Sequence, residues 1–121
     1  MIKFMREFIN SVASGRHSGK GHKCIRQGKY GEALRHYELA LEYEIRGKLG
    51  PNPATLECLA RTHARLGNIK EALSAAEKSY DLYKKLNTTK NFNANSIVRM
   101  ERFLAALKTG NQEELNKSIS I

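Results

Sequence analysis

Four histidines and two cysteines are the first residues to test for chemistry. His17 and His22 lie five apart and close to Cys24, while His36 and His63 fall on later segments. A zinc site needs paired ligands at short spacings such as Cys-x-x-Cys, and the chain has none, so no metal is expected. His63 falls at a packing position of a helical pattern and is read as a hydrogen-bonded core or interface side chain. No Ser or Cys stands in a nucleophile setting such as Gly-x-Ser-x-Gly. The run Gly15-Arg16-His17-Ser18-Gly19-Lys20-Gly21 is not a phosphate loop. That loop wants two glycines five apart, then Lys-Ser/Thr, after a buried strand. Glu38, Glu42 and Glu44 are expected to pair with Arg35, Arg46 and Lys48 around one helix. No enzyme, cofactor or small-molecule substrate is indicated.

Arg61 and Arg65 are four apart, so they stand one turn above each other on one helical face. That face avoids the apolar stripe of Leu56, Leu59, Ala60 and Ala64. An arginine grips a carboxylate through two parallel hydrogen bonds, which supplies geometry as well as charge. Glu57, one turn before Arg61, is placed to hold that arginine while no ligand is present. Replacing either arginine by Ala is expected to weaken binding of an acidic peptide and leave the fold unchanged.

The elements that position these residues are helices. Alanine, leucine, glutamate and lysine are abundant, and proline occurs only at Pro51 and Pro53. The segment Gly67-Asn68-Ile69-Lys70-Glu71-Ala72-Leu73 joins two helical patterns. It has an earlier copy in Gly28-Lys29-Tyr30-Gly31-Glu32-Ala33-Leu34 and a fainter later one in Gly110-Asn111-Gln112-Glu113-Glu114-Leu115. The spacings, 39 and 43 residues, indicate a repeat architecture. Each copy has a mechanical reading. The glycine ends one helix in the left-handed conformation, and the glutamate favours the positive end of the next. The alanine lets two helices approach closely. Asn52 before Pro53 is a further start signal, a capping side chain and a proline at the first helical position.

The helical patterns cover residues 1–13, 20–27, 30–46, 53–66, 69–86, 97–107 and 112–119, seven helices with no strand. In the first, Met1, Met5, Phe8, Ile9 and Val12 form an apolar stripe, widened by Ile2 and Phe4. It is expected to pack on the first repeat as a cap, the alternatives being a membrane-surface or a partner-binding helix. Residues 14–21 hold three glycines and read as a flexible link. Residues 87–95, with four asparagines and two threonines, read as a loop. Tyr30, Tyr37, Tyr80 and Tyr83 are expected in the core, and Tyr43 at the surface.

The segment 27–42, with Gly28, Tyr30, Glu32, Ala33, Leu34, Tyr37, Ala40 and Leu41, resembles the second half of a tetratricopeptide repeat. Leu59, Ala60, His63, Leu66, Gly67, Asn68, Glu71, Ala72 and Leu73 resemble the turn and adjoining helix of the next one. Residues 20–86 carry the resemblance and 95–119 carry it weakly. The spacing exceeds the usual repeat and is more similar to the long-helix versions in kinesin light chain and related scaffolds. Lys20, Ala76 and Ser79 depart from the family pattern at packing positions. The resemblance implies an all-α fold of antiparallel hairpins stacked as a short solenoid. Its parts are an N-terminal amphipathic helix over 1–13 and a repeat domain over 14–121, with two clear repeats and a weak third.

The same resemblance implies function. The first helix of each hairpin lines a concave groove, which places Ser18, His22, Arg26, Glu57, Arg61, Arg65, Leu104 and Lys108 there. His22 and Arg26 take the offsets of Arg61 and Arg65, and stacking is expected to join these four in one basic strip. Chaperone-binding members use a carboxylate clamp of Lys, Asn and Arg, and this chain has no Asn at the matching places. The implied function is a scaffold that binds an acidic or extended peptide of another protein.

The net charge of +9 is spread along the chain, with +5 in residues 1–28. The alternative is therefore a basic adaptor for nucleic acid or an anionic membrane surface. No Lys/Arg cluster exceeds two residues, and no RNA-reading motif is present. Two cysteines are too few for a disulfide scaffold, so a reducing, cytoplasmic setting is expected. No apolar run approaches the roughly 20 residues of a membrane span.

Overall fold

A computed structural model describes residues 2–48, 50–87 and 94–119. Among them are six helices and no strand: α1 (Ile2–Arg26), α2 (Tyr30–Arg46), α3 (Pro53–Arg65), α4 (Ile69–Leu86), α5 (Ala94–Thr109) and α6 (Gln112–Ile119). Consecutive helices pack on one another as antiparallel hairpins, and α6 also reaches back to α3.

The repeated junctions behave as their residues require. Gly28 and Gly67 sit at φ +73° and +79°. In each the following amide closes the helix end. Lys29 N–H donates to the Cys24 carbonyl at 2.8 Å, and Asn68 N–H to the His63 carbonyl at 2.8 Å. This pairing satisfies carbonyls that the helix end would leave open. Ala33 and Ala72, five residues beyond each glycine, are both fully buried. The third junction is built differently. Gly110 is left-handed at φ +69°, but Asn111 caps α6 by accepting from the Glu114 amide at 3.1 Å. Between hairpins, Asn52 accepts from the Ala54 amide at 2.9 Å, with Pro53 opening α3.

Two apolar clusters form the core. One joins α1, α2 and α3 through Cys24, Ala33, Tyr37, Leu56 and Leu59. The other joins α3 to α6 around Met100 and Phe103. The family departures at Ala76 and Ser79 are both fully buried. The Ser79 hydroxyl is satisfied by the Pro53 carbonyl at 2.8 Å, so its burial carries no unmet polar group.

The structure corrects three sequence expectations. The first two helices and the link between them are one 25-residue helix, so six helices replace the seven. Gly21 explains why glycine suits this segment. A Cβ there would fall 2.6 Å from Tyr37 Cε1, so the ring and the α1 backbone meet only because the side chain is missing. The apolar stripe of α1 does not cap the repeats. Met5, Phe8, Ile9 and Val12 are 45–63 % exposed; Met1 lies outside the described residues. The face that meets α2 carries Asn10, Ser14, Gly21 and Cys24 instead. Finally, Glu44 does not pair with a surface cation. Its carboxylate accepts from Ser14 Oγ at 2.9 Å, Thr55 Oγ1 at 2.6 Å and the Asn52 amide at 2.9 Å. It thereby ties α1, α2 and the start of α3 together. Glu42 does pair as expected, with Arg46 at 2.7 Å.

Of the loop expected over 87–95, residues 88–93 lie outside the described residues, and Ala94 and Asn95 already belong to α5. Tyr37 and Tyr83 are buried and Tyr30 and Tyr80 half-buried. Tyr43 is half-buried rather than at the open surface, because its ring stacks on His17 at 5.8 Å.

Candidate functional site

Glu57 is the centre of the polar structure on α3. It is buried, yet three side chains converge on its carboxylate. Arg99 from α5 donates through Nε to Oε2 at 2.7 Å and through Nη2 to Oε1 at 2.9 Å. The Tyr83 hydroxyl from α4 donates to Oε1 at 2.8 Å. Arg61 Nη2 lies 2.6 Å from Oε2. That last contact is close without hydrogen-bond alignment. Arg61 Nε and Nη2 are buried with no hydrogen-bond partner, so the pair is held by charge rather than by directed bonds. Arg99 also donates to Ser96 Oγ at 3.2 Å.

The protonation states follow from this arrangement. Burial alone pushes the Glu57 carboxyl up, but the Arg99 hydrogen bonds, the Arg61 charge and the Tyr83 hydroxyl outweigh it and hold the group below its ordinary 4.5. Burial lowers Arg61, with the Glu57 charge opposing. The hydrogen bond to Glu57 raises Arg99. Burial, then the neighbouring carboxylate, pushes the Tyr83 hydroxyl up to about 12. Glu57 is therefore an anion shared by two cations, which leaves one positive charge in excess.

The other expected groove residues are placed as follows. Ser18 is half-buried, and Arg26 is exposed. His22 is exposed with its Nδ1 2.7 Å from the Tyr37 hydroxyl. Leu104 is buried in the core cluster of α3 to α6. Lys108 is exposed, 4.0 Å from Glu77. Arg65 donates from Nη1 to the Tyr30 hydroxyl at 3.2 Å and from Nη2 to the Ile119 carbonyl at 2.8 Å. Its guanidinium also lies over the Tyr30 ring at 5.1 Å. Arg61 and Arg65 share a helix, but they serve different neighbours, the first α4 and α5 through Glu57, the second α2 and α6. Removing either therefore disturbs contacts between helices, contrary to the expectation of an unchanged fold.

Sequence reasoning missed Arg99 and Tyr83. They lie 42 and 26 residues from Glu57, beyond any local spacing rule. Spacing alone reads Glu57 as the partner of Arg61 on an open face; its burial, which calls for further cationic partners, is set by the helices packed against α3.

Two further features are a cleft and a pair of histidines. A cleft of about 820 Å³ is walled by Asn10, Ser14, Glu44, Pro53, Tyr83 and Leu86, and none of the eight expected residues lines it. Its lining holds two acids, Glu7 and Glu44, and one cation, Lys48, so its charge does not suit an acidic ligand. On the α1–α2 contact, His17 Nδ1 and His36 Nδ1 are 3.2 Å apart, with one ring donating and the other accepting. The described residues hold no cluster of three His, Cys, Asp or Glu that could bind a metal. Burial and the Glu57 charge raise the Cys58 thiol.

Comparison with known proteins agrees with the hairpin geometry. No curated protein and no solved structure matches the chain. Residues 17–85, more than half of the sequence, match the tetratricopeptide repeat family. The matched span begins inside α1 and ends with α4, so it covers both glycine-closed junctions, their buried alanines and Glu57. On this match and this fold, the chain belongs to the tetratricopeptide repeat family.

Proposed function

We propose that this protein binds an acidic or extended peptide of another protein along α1, α3 and α5. Tetratricopeptide repeats generally mediate protein–protein interaction; the ligand class is the further step. The observation that carries it is the sharing of one buried carboxylate by two arginines. Arg99 satisfies Glu57 with one edge while its side chain stays 38 % exposed. A second carboxylate, supplied by a ligand, completes the charge balance around Arg61 and Arg99. Arg26 and Lys108 add positive charge, His22 adds a ring nitrogen, and Ser18 adds a hydroxyl. Glu57 positions the arginines from below, Leu104 supports α5, and Arg65 anchors the far end of α3. A long-helix repeat of the kinesin light chain kind is part of this reading, supported by the 17 and 18 residues of α2 and α4. So is a reducing cytoplasmic setting, supported by the free thiols of Cys24 and Cys58.

The test is titration of a glutamate-rich peptide followed by chemical-shift mapping and calorimetry. Shifts are expected on α1, α3 and α5. Arg99→Gln should lower affinity by about 1–3 kcal/mol, the scale of a hydrogen bond to a charged group. Shifts confined to α2 and α4, or an Arg99→Gln protein that binds equally well, would sink the proposal.

A further inference from the structure

The outward face of α1 is left unused by the repeat contacts. At 100° per residue, Ile2, Phe4, Met5, Phe8, Ile9 and Val12 fall within an arc of about 160°. All six are exposed, Ile2 and Phe4 at 76 % and 75 %. The side chains that meet α2, Asn10, Ser14, Gly21 and Cys24 among them, lie on the opposite side. The helix also outruns its neighbour. Ser14 is level with Glu44, two residues before α2 ends, so the first two turns of α1 project past α2.

Further along, the same outward arc changes character. Gly15 and Gly19 leave it flat, with nothing within 4 Å of a built Cβ. Arg16, Lys20, Lys23 and Arg26 then occupy it, all exposed. The one acid on the helix, Glu7, falls outside the arc. One face thus offers an apolar, phenylalanine-bearing half and a cationic half, with no anion of its own.

We infer that this face of α1 docks the protein on an anionic lipid bilayer. The apolar half enters the headgroup–acyl boundary, and the cationic half rests on lipid phosphates and carboxylates. A second copy of the chain is a poor fit. It would set four cations against four cations or against apolar side chains, with no acid on the face to pair them. Nucleic acid would meet the cations and leave Phe4 and Phe8 in water. No helix among the described residues is long and apolar enough to cross a membrane, so the geometry is that of a helix lying in the interface. Arg26 is common to this face and to the peptide proposal, but Phe4, Phe8, Lys20 and Lys23 are not and Arg61 and Arg99 take no part here, so variants at those positions separate failure of this inference from failure of the peptide proposal.

The experiment is co-sedimentation of the full chain with vesicles of phosphatidylserine and phosphatidylcholine, against phosphatidylcholine alone. Binding to the anionic vesicles is expected, falling as salt is raised. Phe4→Ser/Phe8→Ser should reduce it by roughly a hundredfold, from two lost aromatic side chains. Lys20→Gln/Lys23→Gln should reduce it by roughly 25-fold, from about fivefold per cation. Neither pair should move the unfolding midpoint, because these side chains lie outside the core. Absence of binding, equal binding to both vesicle types, or retention by the phenylalanine variant would overturn the inference. So would a dimer that the phenylalanine variant dissolves without any vesicle binding, which assigns the face to a second copy. RNA binding lost only in the lysine variant, again without vesicle binding, assigns it to nucleic acid and overturns the inference too.

Discussion

Replacing Glu57 by Gln changes almost no volume and removes the one anion beneath Arg61 and Arg99. The amide keeps one accepting oxygen for Tyr83 and Arg99 Nη2, but Arg99 loses the acceptor of its Nε and the charge assistance of both bonds, and Arg61 loses its counter-charge. The two arginines do not respond alike. The Arg99 side chain is 38 % exposed and can turn to solvent, whereas that of Arg61 is 13 % exposed and stays near the α3–α5 contact. Removing one partner of a buried pair costs about 3–5 kcal/mol when the other charge is stranded. Escape of Arg99 lowers that, so we expect a loss of about 2–4 kcal/mol, a large share of the 5–15 kcal/mol typical of a domain. Urea unfolding reads this as a lower midpoint with an unchanged slope. Glu57→Gln/Arg61→Met should recover part of the loss, because no buried charge then lacks a partner. The acid limb gives an independent check. The folded carboxyl titrates below its ordinary 4.5, so its contribution is present above that pH and is lost as pH falls through the folded value. The variant should lack that loss. A Glu57→Gln protein within about 0.5 kcal/mol of wild type, with an unaltered acid limb, would refute the account of the network.

The glycines separate by environment. Gly21→Ala sets a Cβ against the Tyr37 ring and should cost about 1–3 kcal/mol by overpacking. Gly67→Ala imposes a left-handed backbone on a side chain and should cost about 1–2 kcal/mol. Gly19→Ala meets open space within a helix and should stabilise by about 0.5–1 kcal/mol; thermal or urea unfolding of the three variants checks the order. His17 titrates below its ordinary 6.5, through burial first and then the charges of His36, Lys20 and Arg16. The unfolded chain therefore takes up a proton that the fold resists, and stability should decline as pH drops below 6.5. Measured unfolding free energies against pH should flatten in that window in His17→Gln; an identical slope in the variant would show that His17 is not the source.

Local physics made the hairpins legible. A left-handed glycine, a glutamate in the next turn and a small residue beyond it act within seven residues, so Gly28 and Gly67 are legible as helix ends from the sequence alone. Asn52 and Pro53 act within three. Features that depend on which helix lies opposite were not legible. Gly15, Gly19 and Gly21 looked like a link because helix propensity counts against glycine; only the approach of the Tyr37 ring shows why Gly21 belongs inside a helix. The stripe of Phe8, Ile9 and Val12 was plain in the sequence, but amphipathicity says that a face exists and not what it meets. Packing turned the opposite, polar face of α1 toward α2. Arg61 and Glu57 were found by spacing, while Arg99 and Tyr83 were brought to them across 42 and 26 residues of chain. A carboxylate buried among two arginines and a tyrosine is a property of three helices at once. No periodicity in one helix encodes it, because its energy depends on charge and desolvation in a shared volume rather than on backbone geometry.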